Sequence, residues 1–107
     1  MAINIFKSVT KSLLVVGEEV YETPPGFTGI VLMAQVTNVT ATPEIVSMSV
    51  LTDSVETFLA YEFEVPGNDS AGLLTGKLVL EPGQRVFFSG GSDNTLQLVM
   101  SVLESQN

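Results

Sequence analysis

The sequence has no cysteine, no histidine and no tryptophan, and only four of its 107 residues are basic. Without cysteine there is no disulfide and no thiolate nucleophile, and without cysteine and histidine the usual zinc ligands are missing. Acid–base catalysis by histidine is excluded for the same reason. We therefore expect no bound metal, no cofactor and no enzymatic activity.

The chain is strongly acidic, with twelve acidic residues against four basic ones and a net charge of −8 at pH 7. A protein that binds duplex DNA or RNA needs a basic stripe to neutralise phosphates, so we expect no nucleic-acid partner. Residues 1–16 differ from the rest, because they hold Lys7 and Lys11 and no acid. We expect these lysines either to contact an acidic neighbouring subunit or to face water from a first strand.

Long apolar segments are missing too. The longest uncharged stretch, 23–43, is interrupted by Pro24, Pro25 and Gly26, so it is a poor membrane-spanning helix. The apolar run that follows Lys11 is too short for the core of an export signal. We expect no membrane partner and a protein that is made in the cytoplasm without an export step.

Charged residues form only 15 % of the chain, whereas hydrophobic residues form 45 %. An average globular domain has about 25 % charged residues, and a domain this small has a large surface for its volume. There are too few charges to cover that surface, so we expect part of it to be buried in a homo-oligomer, with a trimer favoured. A monomer with a serine- and threonine-rich surface is the alternative.

Alternation of apolar and polar residues over 29–38, 44–51, 55–65 and 95–104 predicts half-buried strands, and no stretch has the period of a helix. Turn residues separate these runs, and Pro82-Gly83 fits a type II turn. The pattern predicts an all-β chain: a single antiparallel β-sandwich, or jelly-roll-like domain, of about eight short strands over 17–107. Residues 1–16 would form an N-terminal arm or a first strand. A small closed barrel is the alternative.

The alternation also predicts which side chains share a face. The buried faces of 44–51 and 95–104 should hold every second residue, namely Val46, Met48 and Val50, and Leu96, Leu98, Met100 and Val102. In 29–38 the buried residues should be Ile30, Leu32, Ala34 and Val36. In 55–65 one face should hold Val55, Thr57, Leu59, Tyr61, Phe63 and Val65, and the other face should hold Phe58 and the glutamates.

Carboxylates are the only residues from which a catalytic or metal site could be built. Glu56, Glu62 and Glu64 fall on one face of a strand, where they are expected to be solvated and to oppose edge-to-edge aggregation. Asp69 and Asp93 lie in oxygen-rich loops, but no calcium-loop pattern surrounds them. No serine has a histidine partner.

Assembly contacts are expected in three places. The first is the N-terminal segment, through Ile3, Ile5, Phe6, Lys7 and Lys11. The second is Phe27, which follows Pro24-Pro25-Gly26 and is expected at a loop tip, either as a plug on its own core or as an anchor in a partner pocket. The third is Phe58, which lies on the polar face of its strand and should be exposed or buried in an interface.

Three segments resemble small virion structural proteins of tailed bacteriophages, including those of marine and cyanobacterial phages. They are YETPPGFTGIVL (21–32), EVPGNDSAGLLTGKLVLEPG (64–83) and DNTLQLVMSVLE (93–104), and the resemblance extends from about residue 20 to 104. The resemblance lies in the pattern of turns and strands, and it implies no functional-site residue in this chain.

The resemblance implies a capsid decoration, or cement, protein that binds the major capsid protein or other virion structural proteins and stabilises the outer shell. The alternatives are a neck, tail or fibre-adaptor component, and a carbohydrate- or receptor-binding module on the particle surface. The expected location is the virion, with the capsid surface favoured over the tail.

Overall fold

The computed structural model describes residues 3–107, which form nine β-strands in two antiparallel sheets. The predicted all-β sandwich is confirmed, with one strand more than the eight expected. No helix long and apolar enough to cross a membrane occurs in the described part of the chain. The strands are β1 Asn4–Ser12, β2 Glu18–Glu22, β3 Phe27–Asn38, β4 Glu44–Thr52, β5 Val55–Val65, β6 Ser70–Gly72, β7 Leu78–Leu80, β8 Arg85–Gly90 and β9 Leu96–Gln106.

The two sheets have different edges. Sheet A has the order β1-β9-β3, and the short strands β6 and β7 pair with opposite ends of β3 on its far side. Sheet B has the order β2-β8-β4-β5. Strands β1 and β5, the two long edge strands, therefore belong to different sheets. All pairings are antiparallel, as expected for a sandwich with one buried face per sheet.

The core lies between the inner faces of the sheets, and two strands supply it as predicted. Every second residue of β9 and of β4 is buried: Leu96, Leu98, Met100 and Val102, and Val46, Met48 and Val50. Phe88 of β8 packs in the same cluster. Burying side chains of this kind contributes about 1.5–3 kcal/mol each, so these rows hold the sheets together.

The prediction of which β3 residues are buried was wrong for the first half of the strand. Val31, Ala34 and Val36 are buried, whereas Ile30 and Leu32 are only half-buried. The cause is a register shift between Val31 and Met33 in the pairing with β9. One extra residue in a strand moves every following side chain to the other face, so strict alternation cannot continue through it.

The predicted alternation of β5 was also wrong. Its pairing with β4 contains two register shifts, and Glu62 has a positive φ of 48°. Only Val65 of the strand is fully buried, while Leu59 and Phe63 are exposed. Opposite this edge, sheet A offers only the three-residue strands β6 and β7, which leave most of β5 uncovered.

Two turns use glycine where the backbone requires it. The predicted type II turn at Pro82-Gly83 is present, with φ of 86° at Gly83 and a 3.0 Å bond from Gln84 N to Glu81 O. Gly67 has no such φ, but a Cβ there would lie 2.2 Å from the carbonyl oxygen of Ala41. The loops before β4 and after β5 are therefore in direct backbone contact.

Asn38, at the end of β3, ties these loops to sheet A. Its side chain is buried, and its amide donates to the carbonyl oxygens of Thr42 at 2.8 Å and Val65 at 3.1 Å. Its carbonyl oxygen accepts from the Thr40 backbone N–H at 2.9 Å and from the Thr40 hydroxyl at 2.7 Å. One side chain of sheet A therefore bonds to the backbone of β5 in sheet B and to the backbone of the loop before β4.

We expect Asn38→Ala to destabilise the fold by about 2–4 kcal/mol, because it removes bonds to the Val65 and Thr42 carbonyl oxygens and to the Thr40 backbone N–H, the first of them fully buried. Gln35→Ala, in the same strand, removes one exposed bond to Ser70 and should cost less than about 1 kcal/mol. Urea denaturation of the two variants measures the difference. Equal losses would contradict the role given to Asn38.

Candidate assembly surface

The N-terminal candidates lie on an edge strand of sheet A. Residues 4–12 form β1, which pairs with β9 at every position without a register shift, whereas residues 1 and 2 of the predicted arm lie outside the described residues. The pairing continues past β1, because the carbonyl oxygen of Ile3 accepts from Gln106 N at 2.9 Å. This segment is thus the first strand of the sandwich.

The two faces of β1 differ in chemistry. Residues directly opposite each other on paired strands point to the same face of the sheet. Ile5, Lys7, Val9 and Lys11 lie opposite the inner row of β9, so they point towards sheet B. Phe6 points outward and is 74 % exposed. The neighbours of Phe6 on that face are Asn4, Ser8, Thr10 and Ser12.

Lys7 reaches a carboxylate that is buried at the end of the core. The Glu104 side chain is only 2 % exposed, and its Oε1 lies 3.4 Å from Lys7 Nζ. Its Oε2 accepts a 2.5 Å hydrogen bond from the Tyr21 hydroxyl of β2. Burial raises the pKa of the Tyr21 phenol above its usual range, and the Glu104 carboxylate raises it further. A buried carboxylate is costly unless paired, so this cluster joins β1, β9 and β2.

Lys11 pairs with Glu18 of β2 across the same open side of the sandwich, at 3.4 Å. Both side chains are partly exposed, so this ion pair is worth less than the Lys7–Glu104 pair. The segment is the first strand that one of the two expectations gave, and contact of these lysines with a neighbouring subunit stays a prediction. Both side chains are partly exposed, but each also lies 3.4 Å from a carboxylate oxygen of the same chain. They point inward from an edge strand, where carboxylates of the same chain neutralise them.

Glu104 was missed in the sequence, although a signal for it was present. The buried row of β9 runs through every second residue from Leu96 to Val102, and the next residue of that row is Glu104. A charge that continues a buried row predicts a buried partner. Lys7 could not be chosen as that partner without the register of β1 against β9.

A row of apolar side chains crosses the outer face of sheet A. Phe6 lies opposite Leu103, Leu103 opposite Ile30, and Ile30 opposite Val79 of β7. The two ends of this apolar row are the most exposed, Phe6 at 74 % and Val79 at 61 %. No strand residue of this face is charged, because the charged residues in the strands of sheet A are Lys7, Lys11 and Glu104, all on the inner face. Lys77, which directly precedes β7, lies beside Met33 and Gln35 at the margin of the face.

The other two candidates lie apart. Phe27 is not at a loop tip: it is the half-buried first residue of β3, held by a bond from its N–H to Pro24 O at 3.2 Å. It lies opposite Gln106, near the Ile3 end of β1. Phe58 is on β5 at the far edge of sheet B, so the structure does not bring it to the N-terminal candidates.

Phe58 belongs to a separate groove on the outer face of sheet B. Its ring packs edge-on against Tyr61 with 4.9 Å between centroids, which corrects the prediction that the two lie on opposite faces. The bulges of β5 cause the change. Glu56, Glu62 and Ser47 help to line the groove, which has a volume of about 260 Å³.

The loop aspartates have local roles. Asp69 Oδ1 accepts from Ser70 N and Asp93 Oδ1 accepts from Val15 N, each at 2.8 Å. Within residues 3–107, no group of three or more acidic side chains is placed to hold a metal ion.

We expect Lys7→Met to lower the free energy of unfolding by about 1–2 kcal/mol, because Glu104 would keep Tyr21 as its one partner. Lys11→Met removes a more exposed pair and should cost about 0.5 kcal/mol or less. Urea denaturation at low salt compares the two. A larger loss for Lys11→Met would contradict the role of the buried carboxylate.

Tyr21 should make the protein sensitive to alkali. Its raised pKa means that the folded state binds the phenolic proton more tightly than the unfolded state. The stability this supplies is complete below about pH 10, the ordinary tyrosine pKa, and is lost as the pH rises further. Thermal melts from pH 8 to 11 should show a steeper loss for the wild type than for Tyr21→Phe. Parallel curves would contradict this assignment.

No family model matches the sequence, and no curated protein matches it. The fold is similar to a solved structure from Bacillus endospore appendages, described as a novel family of disulfide-linked pili. The TM-score is 0.55 with 14 % sequence identity, and the match covers 99 % of this chain and 89 % of the other. A similarity at this identity shows the fold that the two chains share.

Proposed function

We propose that this protein is a virion structural protein, a capsid decoration protein that binds the outer shell and stabilises it. The sequence resemblance to small virion proteins of tailed phages supports the class. The observation that carries the proposal is the outer face of sheet A, which has no charged strand residue and bears the apolar row from Phe6 to Val79. The chain has a net charge of −8, so a sheet face without charged strand residues differs from the acidic rest of the molecule.

An uncharged sheet face is suited to lying on another protein. Docking it removes apolar surface from water, and no strand residue of the face carries a charge that would have to be desolvated. Its remaining side chains are mostly serine, threonine and glutamine, which can hydrogen-bond across an interface. A subunit that binds only the assembled shell stabilises that shell by mass action, and repeated contacts over a lattice add to the effect.

The partners under this proposal are the major capsid protein and other copies of the chain, and the location is the capsid surface. The mass of the purified protein tests the trimer favoured from the sequence against other homo-oligomers. The role needs no catalysis, metal or cofactor.

We expect Phe6→Ser combined with Val79→Ser to weaken binding to shells stripped of the protein by about tenfold or more, since about 1.4 kcal/mol corresponds to tenfold. Both side chains are exposed, so the fold should survive. Tyr61→Ser, which removes an equally exposed aromatic from sheet B, is the control and should bind normally. Normal binding of the double variant would contradict the use of this face.

Copy number separates the capsid from the neck, tail or fibre alternatives. Quantitative mass spectrometry of purified virions should find this chain in simple proportion to the major capsid protein. A count that matches one ring or one set of fibres would instead favour a neck or tail component. Absence from the particle would overturn the proposal.

The groove of Phe58 and Tyr61 favours a second candidate, a carbohydrate-binding module. Exposed aromatic rings can stack on sugars, and Glu56 and Glu62 can accept hydrogen bonds from sugar hydroxyls. A glycan array with wild type and Tyr61→Ser tests it. Binding lost in the variant would support a receptor role, and the absence of any glycan signal would remove it.

The similarity to the endospore pilus structure makes a filament subunit a further candidate on fold alone. That structure is described as disulfide-linked, and this chain has no cysteine, so it cannot form such a link. Negative-stain microscopy of the purified protein tests the idea, since filaments would favour it.

A further inference from the structure

We propose that a second copy of this chain pairs antiparallel with the free edge of β1, with Ser8 directly opposite Ser8 of the second copy. The contact joins two copies of sheet A about a two-fold axis. The role of this contact in assembly rests on the proposed function, whereas the geometry of the contact follows from β1 alone.

The first step is to identify which backbone groups of β1 are free. At one end the carbonyl oxygen of Ile3 bonds to β9, and at the other end Leu13 N bonds to Leu96 O at 2.9 Å. Antiparallel pairs alternate between bonded and non-bonded positions, so the odd-numbered residues of β1 bond to β9. The N–H and C=O groups that point to the free edge are those of Asn4, Phe6, Ser8, Thr10 and Ser12.

The second step compares β1 with the other sheet edges. Native proteins protect edges with bulges, charges and short strands. β5 has two register shifts and three glutamates, and β2 has five residues, a register shift and three glutamates. β6 and β7 have three residues each. β1 has nine residues and no register shift, so it is the long, regular edge within the described residues.

The third step is the charge of the contact. Two copies that each carry −8 repel one another, so an interface between them needs a region free of excess acid. β1 has no acidic residue, and its two lysines are neutralised by Glu104 and Glu18 of the same chain. The residues that face the free edge are uncharged. β1 therefore lets two copies approach at low electrostatic cost.

The register follows from the positions of the lysines. With Ser8 opposite Ser8, all nine residues of β1 are paired, Lys7 lies opposite Val9, and Lys11 lies opposite Ile5. A shift of two residues in one direction places Lys7 opposite Lys7, and a shift in the other places Lys7 opposite Lys11. Like charges directly opposite each other destabilise a strand pair. The Ser8-centred register avoids both and is the longest.

The pairing extends the uncharged outer face of sheet A across both copies. Phe6 of each copy then lies opposite Thr10 of the other, so the exposed ends of the two apolar rows lie on either side of the axis, about 13 Å apart along the strands. A dimer would present two apolar rows to one shell, which raises the avidity of binding. The contact is isologous, because the same strand is used by both copies.

Disulfide trapping tests the register, because the chain has no cysteine of its own. We expect Ser8→Cys to form a covalent dimer under mild oxidation, as seen on a non-reducing gel. Ser12→Cys is the matched control, on the same edge and the same face. In the proposed register its two thiols are eight residues apart along the strands, about 27 Å, too far to bond. Equal cross-linking of both variants, or none of Ser8→Cys, overturns the proposal.

Ser8→Pro tests the contact without cross-linking. The Ser8 N–H points away from β9, so proline there leaves the β1–β9 bonds in place and blocks the free edge. In sedimentation equilibrium the wild type should have the mass of a dimer and Ser8→Pro that of a monomer, with matching circular dichroism spectra. A wild-type monomer overturns the proposal. A trimer also overturns it, because a closed trimer needs contacts between two different surfaces.

The failures of the two proposals are distinguishable. A monomer in solution that still binds the shell overturns the β1 contact and leaves the decoration role. Cross-linking of Ser8→Cys, together with absence of the protein from virions, supports the contact and overturns the decoration role.

Discussion

The structure depends on the position of β9 between β1 and β3. Its inner row forms the centre of the core and ends in the buried carboxylate of Glu104, which must have partners because an unpaired buried charge is costly. The partners are Tyr21 from sheet B and Lys7 from β1. The need to pair Glu104 therefore connects β1 to β2 at the open side of the sandwich. It also holds β1 in register with β9, although β1 buries few side chains of its own.

A strand held in this way is regular but uncovered, which links the core to assembly. Lys7 and Lys11 point inward and pair with carboxylates of the same chain. The strand residues on the outer face of sheet A and the residues that face the free edge of β1 are uncharged. The strands of sheet B hold most of the strand glutamates, and the bulges of its long edge strand disturb pairing there. The molecule thus has one side suited to contact and one suited to water.

The sequence predicted the fold where strands follow simple alternation. The inner rows of β4 and β9 were predicted correctly, because each has a buried face at every second residue. The predicted faces of Ile30 and Tyr61 were wrong because bulges in β3 and β5 break the alternation between the residues before and after them, and a bulge has no fixed residue signature. The Lys7–Glu104 pair could not be predicted, because it depends on a register between the two ends of the chain.

The most direct test of this account is amide hydrogen exchange of β1 in the wild-type protein, measured by NMR as a function of concentration. Lys7 and Val9 donate to β9 and should be protected at all concentrations. Phe6, Ser8 and Thr10 point to the free edge and should be protected at high concentration, where copies pair, and exchange rapidly on dilution. Rapid exchange of Phe6, Ser8 and Thr10 at every concentration would contradict the claim that β1 is the assembly edge.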